Sequence, residues 1–356
     1  MKKKIIFFLP LMTGGGAERV TINIIKELDK QYYDIHLVLG TRKIGNSLHL
    51  IPNDIAQYTL NTEKTLHSIL KLRRIIKEIN PEIIYSSLNR SHIAIYLALI
   101  GLKNRPKTIM RIPSSPKLVN KYIQYNFLFR SFLNRALRDA TSIIAQTPEM
   151  KEEAAEYYQL DKNKIKVLLN PVDTNLIDKS LENEKNPFNK EDINVVASGR
   201  LSREKGFDIL IKAFQKVHLK NKKFKLYIIG ADYDNQIENY RELIQGLNLV
   251  DVVHLLGFQT NPYRYYKYSN LFVLSSRWEG LPNAVLENIY LKKPIVATRC
   301  IPFMEELVKD GENGFLVDVE NIEQLADSIL KYKELSSVEH QVLKHADVNN
   351  FFKGLV

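Results

Sequence analysis

The chain has 356 residues, of which 45% are hydrophobic and 26% charged, and its formal net charge is +11. This length fits about two domains that each bury a core, and the ordinary apolar content excludes a disordered or coiled-coil chain. The single cysteine, Cys300, excludes a disulfide framework and a cysteine-based metal cluster. The longest clean apolar run, 93–102, is too short to cross a bilayer as a helix.

The excess positive charge lies in the first half of the chain. Residues 1–170 hold 27 Lys and Arg against 14 Asp and Glu, whereas the remaining residues hold 24 against 26. Between Glu82 and Asp139 there are ten basic residues and no acidic one. This asymmetry predicts an anionic partner for the first half: a membrane surface, a phosphorylated acceptor or a nucleic acid.

The amino terminus combines a basic start with a short apolar stretch, as secretory signals do. The apolar part is only Ile5–Met12, contains Pro10 and is not followed by an A-x-A cleavage pattern. We therefore expect a buried first strand that runs into a glycine turn, in a cytoplasmic protein, rather than a signal peptide.

Short apolar runs alternate with amphipathic segments, such as Ala17–Leu28 and Leu66–Ile79, which predicts βαβ units and mostly parallel sheets. The strands predicted in the first half are Ile5–Leu9, Ile35–Leu39, Ile83–Tyr85, Thr108–Met110, Ile143–Ala145 and Ile165–Leu168. Those predicted in the second half are Ile193–Ala197, Phe224–Ile229, Val252–Leu256, Leu271–Leu274, Pro294–Ala297 and Gly314–Val317.

A polar stretch with two prolines, 170–192, interrupts this alternation and indicates a connection between domains. The fold class is therefore α/β, with two Rossmann-like parallel-sheet domains facing a central cleft. We expect the domains at 1–170 and 171–335, and a helical tail at 336–356 that packs back toward the first domain. In such sheets ligands bind at the carboxyl ends of the strands, so the loops there are the candidate sites.

The first candidate loop is Gly14-Gly15-Gly16, between the first strand and the first helix. Without β-carbons, these residues let a phosphate or sugar approach the backbone, and the helix N-terminus favours negative charge. The pattern is not G-x-G-x-x-G, so a dinucleotide fingerprint is absent. A purely structural turn explains the same glycines equally well.

Two further loops lie in the second half. In the segment 198–207, Arg200 and Lys205 can converge on a diphosphate and offset the charge of a leaving group without a metal. In the segment 275–287, Glu279 lies in a loop and Glu287 one turn into the next helix, so both can face one ligand. The alternatives are a solvated surface loop and ordinary helix glutamates.

These segments, in this order, resemble the family-4 glycosyltransferases, which are retaining sugar-nucleotide enzymes of the GT-B fold. The resemblance covers roughly residues 4 to 330, and within the family it is similar to bacterial enzymes that build surface polysaccharides or lipid-linked oligosaccharides. The residues that carry it are Gly14–Arg19, Asn170–Asp173, Gly199–Leu201, Lys205-Gly206, the E-x7-E pair Glu279 and Glu287, and Asp310–Val317.

The resemblance implies an acceptor-binding first domain and a nucleotide-sugar-binding second domain. Arg200 and Lys205 would neutralise the donor diphosphate, so no metal and no cofactor is expected, and Glu279 would hold donor-sugar hydroxyls. Reaction would retain configuration, with the departing phosphate oxygen helping to deprotonate the acceptor. The remaining substrate-binding positions implied are Gly15, Gly16 and Glu18 near the donor, Leu281, Pro282 and Asn283 at the sugar and phosphates, Glu287 at the ribose, and Phe258 at the base.

Two positions depart from the family pattern. Many relatives carry a histidine after the fourth strand of the first domain, and here the candidate is His92, which a structural role would explain as well. Related polysaccharide enzymes have a Gly-Pro-Arg-Glu-like stretch before the final motif, whereas this chain has Phe303 and no glycine there. Separately, Asp232-Tyr233-Asp234 matches the D-x-D metal motif of another glycosyltransferase fold, but we expect it in a solvent-facing loop.

The segment Lys117–Arg138 is basic and aromatic and contains no acidic residue. It predicts an amphipathic helix that docks on an anionic membrane, with a core helix as the alternative. Together these features predict a peripheral, cytoplasmic glycosyltransferase that moves a hexose or N-acetylhexosamine from a UDP-sugar to a glycan or lipid-linked acceptor. The alternatives are a sugar-nucleotide 2-epimerase of the same fold, a non-catalytic GT-B partner, and a nucleic-acid-binding protein.

Overall fold

The computed structural model describes residues 2–41, 47–233, 235–335 and 347–355. Its contacts divide the chain into two compact units, Met1–Pro171 with His345–Val356, and Val172–Lys344. The strands of the described residues are β1 (Lys3–Leu9), β2 (Tyr33–Leu39), β3 (Ala56–Thr59), β4 (Ile83–Ser86), β5 (Lys107–Arg111), β6 (Ser142–Ala145), β7 (Ile165–Val167), β8 (Ile193–Ser198), β9 (Phe224–Ile229), β10 (Val253–Gly257), β11 (Leu271–Leu274), β12 (Ile295–Thr298) and β13 (Gly314–Val317).

Helices connect these strands. In chain order they are α1 (Gly16–Glu27), α2 (Ile69–Ile79), α3 (Asn89–Leu99), α4 (Pro116–Ile123), α5 (Phe127–Asp139), α6 (Pro148–Tyr158), α7 (Thr174–Leu181), α8 (Phe207–Lys220), α9 (Ile237–Gly246), α10 (Tyr263–Tyr268), α11 (Asn283–Tyr290), α12 (Met304–Leu307), α13 (Ile322–Leu330) and α14 (Val348–Gly354). Across the described ranges, none of them is long and apolar enough to cross a membrane.

The first unit is built on a parallel sheet whose seven strands, counted over the described residues, have the order β3-β2-β1-β4-β5-β6-β7. Its strands are apolar on both sides because both faces are covered. On one face, apolar side chains of α2, α3, α5 and α6 join one core cluster. On the other face, α1 and α14 join a second cluster. Every first-half strand predicted from the sequence is present, and β3 is an addition.

The C-terminal helix α14 belongs to the first unit. Phe352 is fully buried, and its ring lies 6.4 Å from that of Phe7 and 6.1 Å from that of Tyr85. Asn349 donates from Nδ2 to the carbonyl of Glu27 at 2.7 Å. The last described helix therefore completes the core under β1 and β4.

The second unit has a six-stranded parallel sheet in the order β10-β9-β8-β11-β12-β13, counted within the described residues. Chain order reverses between β8 and β11, which lie side by side, with Leu271 opposite Val195. A separate core cluster, which includes residues of α8, α9 and α13, fills this unit. The point of reversal is where open α/β sheets bind ligands.

Candidate functional site

The loops after β8 and β11 meet at this reversal point and are bonded to one another. The Ser275 hydroxyl donates to the carbonyl of Lys205 at 2.8 Å, and the Arg277 amide donates to the carbonyl of Glu204 at 2.7 Å. Strands of a parallel sheet end at the same edge, so the two adjacent loops leave that edge together. The structure thereby brings the second and third candidate loops into one site.

A largely buried ion pair joins the two loops. Lys205 Nζ lies 2.7 Å from Glu279 Oε1, and the two side chains are only 17% and 11% exposed. The Ser276 hydroxyl donates to the same Glu279 oxygen at 2.7 Å. Burial lowers the pKa of Lys205, but the charges of Glu279 and Glu204 outweigh it and leave that pKa above its usual value. The site therefore holds a charged ammonium bonded to Glu279 at the sheet edge where open α/β sheets bind ligands.

Gly199 makes room for this lysine. A β-carbon at Gly199 would lie 2.9 Å from Cδ of Lys205, so only glycine lets the lysine stem lie across the backbone. Cys300 is buried near the same ion pair, where burial raises the pKa of its thiol to about 12. The cysteine is therefore a neutral neighbour of the pair at physiological pH.

Arg200 bonds to a glutamate of its own loop. Its side chain is half exposed and donates from Nη2 to Glu204 Oε1 at 2.7 Å. Arg200 is nevertheless a charged neighbour of Lys205, because its positive charge makes a small contribution that opposes the overall rise in the pKa of Lys205. In this structure Lys205 bonds to Glu279 and Arg200 to Glu204, and the convergence of the two cations on a diphosphate stays a prediction.

Glu287 lies on α11, which follows the Glu279 loop. Its side chain is buried, and so are Leu281 and Pro282 just before the helix, while Asn283 is half-buried. Pro282 has no N–H, so only its neighbours can offer backbone donors to a sugar or phosphate. Phe258 follows β10 at the same edge of the sheet and is 38% exposed, which leaves its ring accessible to a planar base.

In the first unit, the carboxylate of Glu18 bonds back to the glycine turn. Glu18 Oε2 accepts from the amides of Gly14 at 2.8 Å and Gly15 at 3.2 Å, and Oε1 accepts from the Thr13 hydroxyl at 3.0 Å. Burial raises the pKa of Glu18, although these bonds act in the opposite direction. The amides of Gly14 and Gly15 thus already donate to the Glu18 carboxyl group, and the expected phosphate contact of Gly15 requires Glu18 to move. Gly16 begins α1.

His92 is placed inside the fold rather than at the site surface. It is fully buried on α3, with Nδ1 2.7 Å from the Ser86 hydroxyl and Nε2 3.2 Å from the carbonyl of Arg111. Burial lowers its pKa to about 3, so the ring is neutral. Both ring nitrogens bond to the protein and join α3 to β4 and β5, which supports the structural role for His92. Its contact with substrate stays a prediction.

The D-x-D motif is used locally. Asp232 accepts from the amides of Gln236 and Ile237, both at 2.9 Å, and so caps the start of α9. Asp234 lies outside the described residues. Over the described ranges there is no group of three His, Cys, Asp or Glu side chains that could hold a metal ion. Phe303 is the residue before α12, and no glycine precedes that short helix in the loop.

The basic-aromatic segment is two helices rather than one. α4 ends at Ile123, and the next residue, Gln124, caps it with φ +46°. Asn126 then starts α5 by accepting from the Phe129 amide at 2.8 Å. Phe129 and Phe132 pack against the core, whereas Phe127 and Leu128 are 83% and 67% exposed. The predicted single amphipathic helix is therefore wrong: the structure has a helical corner with exposed apolar side chains. The side chain of Tyr122 is outside the described part.

Sequence reasoning gave no role to Arg277, which lies in the loop after β11, two residues before Glu279. Its side chain bonds to the carbonyl of Arg203 in the loop after β8 and to Asp208 at the start of α8. Its contacts come from residues distant in sequence, and no local spacing marks them. The sequence places an arginine next to the E-x7-E segment, but it does not reveal which residues that side chain contacts.

Two parallel sheets of this topology in one chain have the architecture of the GT-B fold. The sequence profiles of two families agree: "Glycosyltransferase Family 4" matches residues 14–176, and "Glycosyl transferases group 1" matches residues 178–347. The chain belongs to the family-4 glycosyltransferases.

Individual relatives support this assignment. An uncharacterized glycosyltransferase of Methanocaldococcus jannaschii is 32% identical over 67% of this chain and 60% of its own length. The Campylobacter jejuni N-acetylgalactosamine-N,N'-diacetylbacillosaminyl-diphospho-undecaprenol 4-alpha-N-acetylgalactosaminyltransferase is 26% identical over 90% of this chain and 87% of its own. Among solved structures, Anabaena HepE in complex with UDP-glucose has a TM-score of 0.77 and 21% identity, covering 99% of this chain and 98% of HepE, and shows the same fold.

Proposed function

We propose that this glycosyltransferase moves a hexose or N-acetylhexosamine from a UDP-sugar to a glycan or lipid-linked acceptor in surface glycan biosynthesis, with retention of configuration and without a metal. The observation that carries the proposal is the largely buried Lys205–Glu279 pair at the reversal point of the second sheet. An ammonium and a carboxylate held at that edge match the two halves of a sugar nucleotide, its diphosphate and its hydroxyls.

The side chains of the second unit divide the work. Lys205, with Arg200 nearby, would stabilise the negative charge that develops on the departing UDP, which is the task a metal has in other enzymes. Glu279 would accept hydrogen bonds from donor-sugar hydroxyls, and Glu287 from the ribose. A departing phosphate oxygen on the same face of the sugar would accept the acceptor proton, and the anomeric configuration of the product, read by proton NMR, tests this retention.

The chemistry of the relatives supports the donor and acceptor classes. The Campylobacter relative is named as an N-acetylgalactosaminyltransferase acting on a diphospho-undecaprenol-linked sugar. HepE, which shares the fold, was solved with UDP-glucose. An anionic lipid-linked acceptor also fits the excess of basic residues in the first half of this chain.

The test is a thermal-shift panel with UDP, GDP and their common sugars in EDTA, run on the native chain, Glu287→Gln and the exposed control Glu323→Gln. A ligand at 100 times its Kd adds about 2.7 kcal/mol to the unfolding free energy. We expect a shift with UDP ligands that Glu287→Gln loses and Glu323→Gln keeps. No shift with any nucleotide, or a shift that needs Mn²⁺, contradicts the proposal.

We further propose that the enzyme lies on the inner face of the cell membrane through the corner between α4 and α5. Phe127 and Leu128 are exposed at the start of α5, Ile123 is 49% exposed at the end of α4, and Lys121 and Arg130 flank them. Exposed apolar side chains flanked in sequence by basic residues match the interface of an anionic bilayer. Other apolar side chains of the segment 117–138, such as Phe129 and Phe132, pack against the core and hold the corner on the first unit.

Vesicle sedimentation tests this contact with the full chain on phosphatidylglycerol and phosphatidylcholine vesicles. Inserting one Phe and one Leu contributes enough apolar area that Phe127→Ser with Leu128→Ser should weaken anionic binding about tenfold or more. Leu219→Ser, an equally exposed apolar residue of the second unit, is the control and should bind normally. Equal loss with Leu70→Ser, on α2, or equal binding to both vesicle types refutes the corner as the contact.

A further inference from the structure

We propose that Arg277 is a positioning residue, which holds the loops after β8 and β11 in the register at which Lys205 and Glu279 meet. The effect of Arg277 on catalysis rests on the proposed function, whereas its contacts are present in the structure whatever the function is. Arg277 lies two residues before Glu279, and its side chain is only 8% exposed.

The guanidinium donates to four protein oxygens on three different segments. Nη1 donates to the carbonyl of Arg203 at 2.7 Å and to Asp208 Oδ1 at 2.9 Å, while Nη2 donates to Asp208 Oδ2 at 2.8 Å. Nε donates to Glu320 Oε1 at 2.7 Å. The two-pronged contact with Asp208 fixes both distance and orientation, which a lysine at this position would not do.

These partners flank Lys205 in the sequence. Arg203 lies two residues before it and Asp208 three residues after it, in the first turn of α8. Anchoring both ends of so short a segment to Arg277 leaves the backbone of Lys205 no freedom to move away from Glu279. Burial raises the pKa of Asp208, but its hydrogen bonds and charge interaction with Arg277 outweigh this and leave that pKa below its usual value. The hydrogen bonds to Asp208 and Glu320 raise the pKa of Arg277, so both partners stay charged.

The third partner, Glu320, has an unusual backbone. Its φ is +66°, a left-handed conformation that few residues other than glycine adopt. Such strain persists where surrounding contacts impose it. The contact with Arg277 Nε therefore ties the loop after β13 to the same point, which places Arg277 at the centre of three loops on the ligand edge of the sheet.

The test measures the amine of Lys205 directly, in the full chain without ligand. Acetic anhydride labelling of Lys205 is followed by peptide mass spectrometry between pH 7 and 10 in Asp208→Asn, in Glu320→Gln and in the control Asp327→Asn, a carboxylate of the same unit paired with Lys220. If Lys205 separates from Glu279, the pKa of Lys205 falls. At any pH below that pKa, a fall of one unit in the pKa raises the fraction of unprotonated, reactive amine about tenfold. Glu204 and Arg200 remain as its other charged neighbours.

We expect faster Lys205 labelling in Asp208→Asn, with a midpoint at lower pH, a smaller effect in Glu320→Gln, and native behaviour in Asp327→Asn. Glu320 is largely exposed, so that variant remains folded even where loss of Asp208 unfolds the unit. Native labelling in Glu320→Gln and in any folded Asp208→Asn overturns the inference. A parallel UDP thermal shift on the native chain judges the proposed function separately, because labelling needs no donor.

Discussion

Gly206 is a position at which the packing of the two site loops requires glycine. Its backbone has φ +63°, and a β-carbon there would lie 2.1 Å from the carbonyl oxygen of Ser275, which follows β11. The glycine thus lets α8 begin directly against the neighbouring loop, beside Lys205. Only a residue without a β-carbon satisfies both the left-handed conformation and this contact.

We predict that Gly206→Ala lowers the free energy of unfolding by about 2 kcal/mol or more, because it combines left-handed strain with a steric overlap. It should also abolish the thermal shift with UDP, since the Ser275 loop must move. Gly246→Ala is the matched control: its β-carbon meets nothing within 4 Å at the end of α9, and alanine favours helix. Urea unfolding of the two variants measures the difference, and equal stability would show that the loops tolerate movement.

At the scale of elements, apolar runs were enough to predict most of the fold. Strands such as β1 and β11 are buried on both faces, so their sequences are nearly all apolar and their limits are clear. β3 was missed because its four residues are only half-buried at the sheet edge, where no apolar run is needed. Its neighbour β2 specifies the pairing, and tertiary context rather than local sequence creates the strand.

The site was predictable where local chemistry defines it and not where contacts are distant. Glycine turns and the spacing of Glu279 and Glu287 are local, so their loops could be identified. The direction of Arg200 toward Glu204, and the burial of His92 between β4 and β5, depend on packing. The break before α5 had a signal, because Asn126 is a favoured N-cap residue within the basic-aromatic segment.

At the scale of the whole molecule, charge and stability are divided between two units. The first half carries the positive excess, and the two units have separate core clusters. A ligand that binds one unit lowers the population of locally unfolded states in that unit more than in the other. The donor site proposed for the second unit can therefore be located by where UDP changes local stability.

We predict that saturating UDP slows hydrogen exchange in segments 199–206 and 275–287 by about tenfold or more, because local opening there must release the ligand. Exchange in β1 and β4 should not change, and neither should that of the Gly14 and Gly15 amides, which Glu18 already bonds. Glu287→Gln with UDP is the control and should exchange as the free protein does. Slower exchange in the glycine turn instead would mean that the Gly14 and Gly15 amides leave Glu18 and bond to the donor phosphate. Uniform slowing across the chain would mean that the two units unfold in one cooperative step.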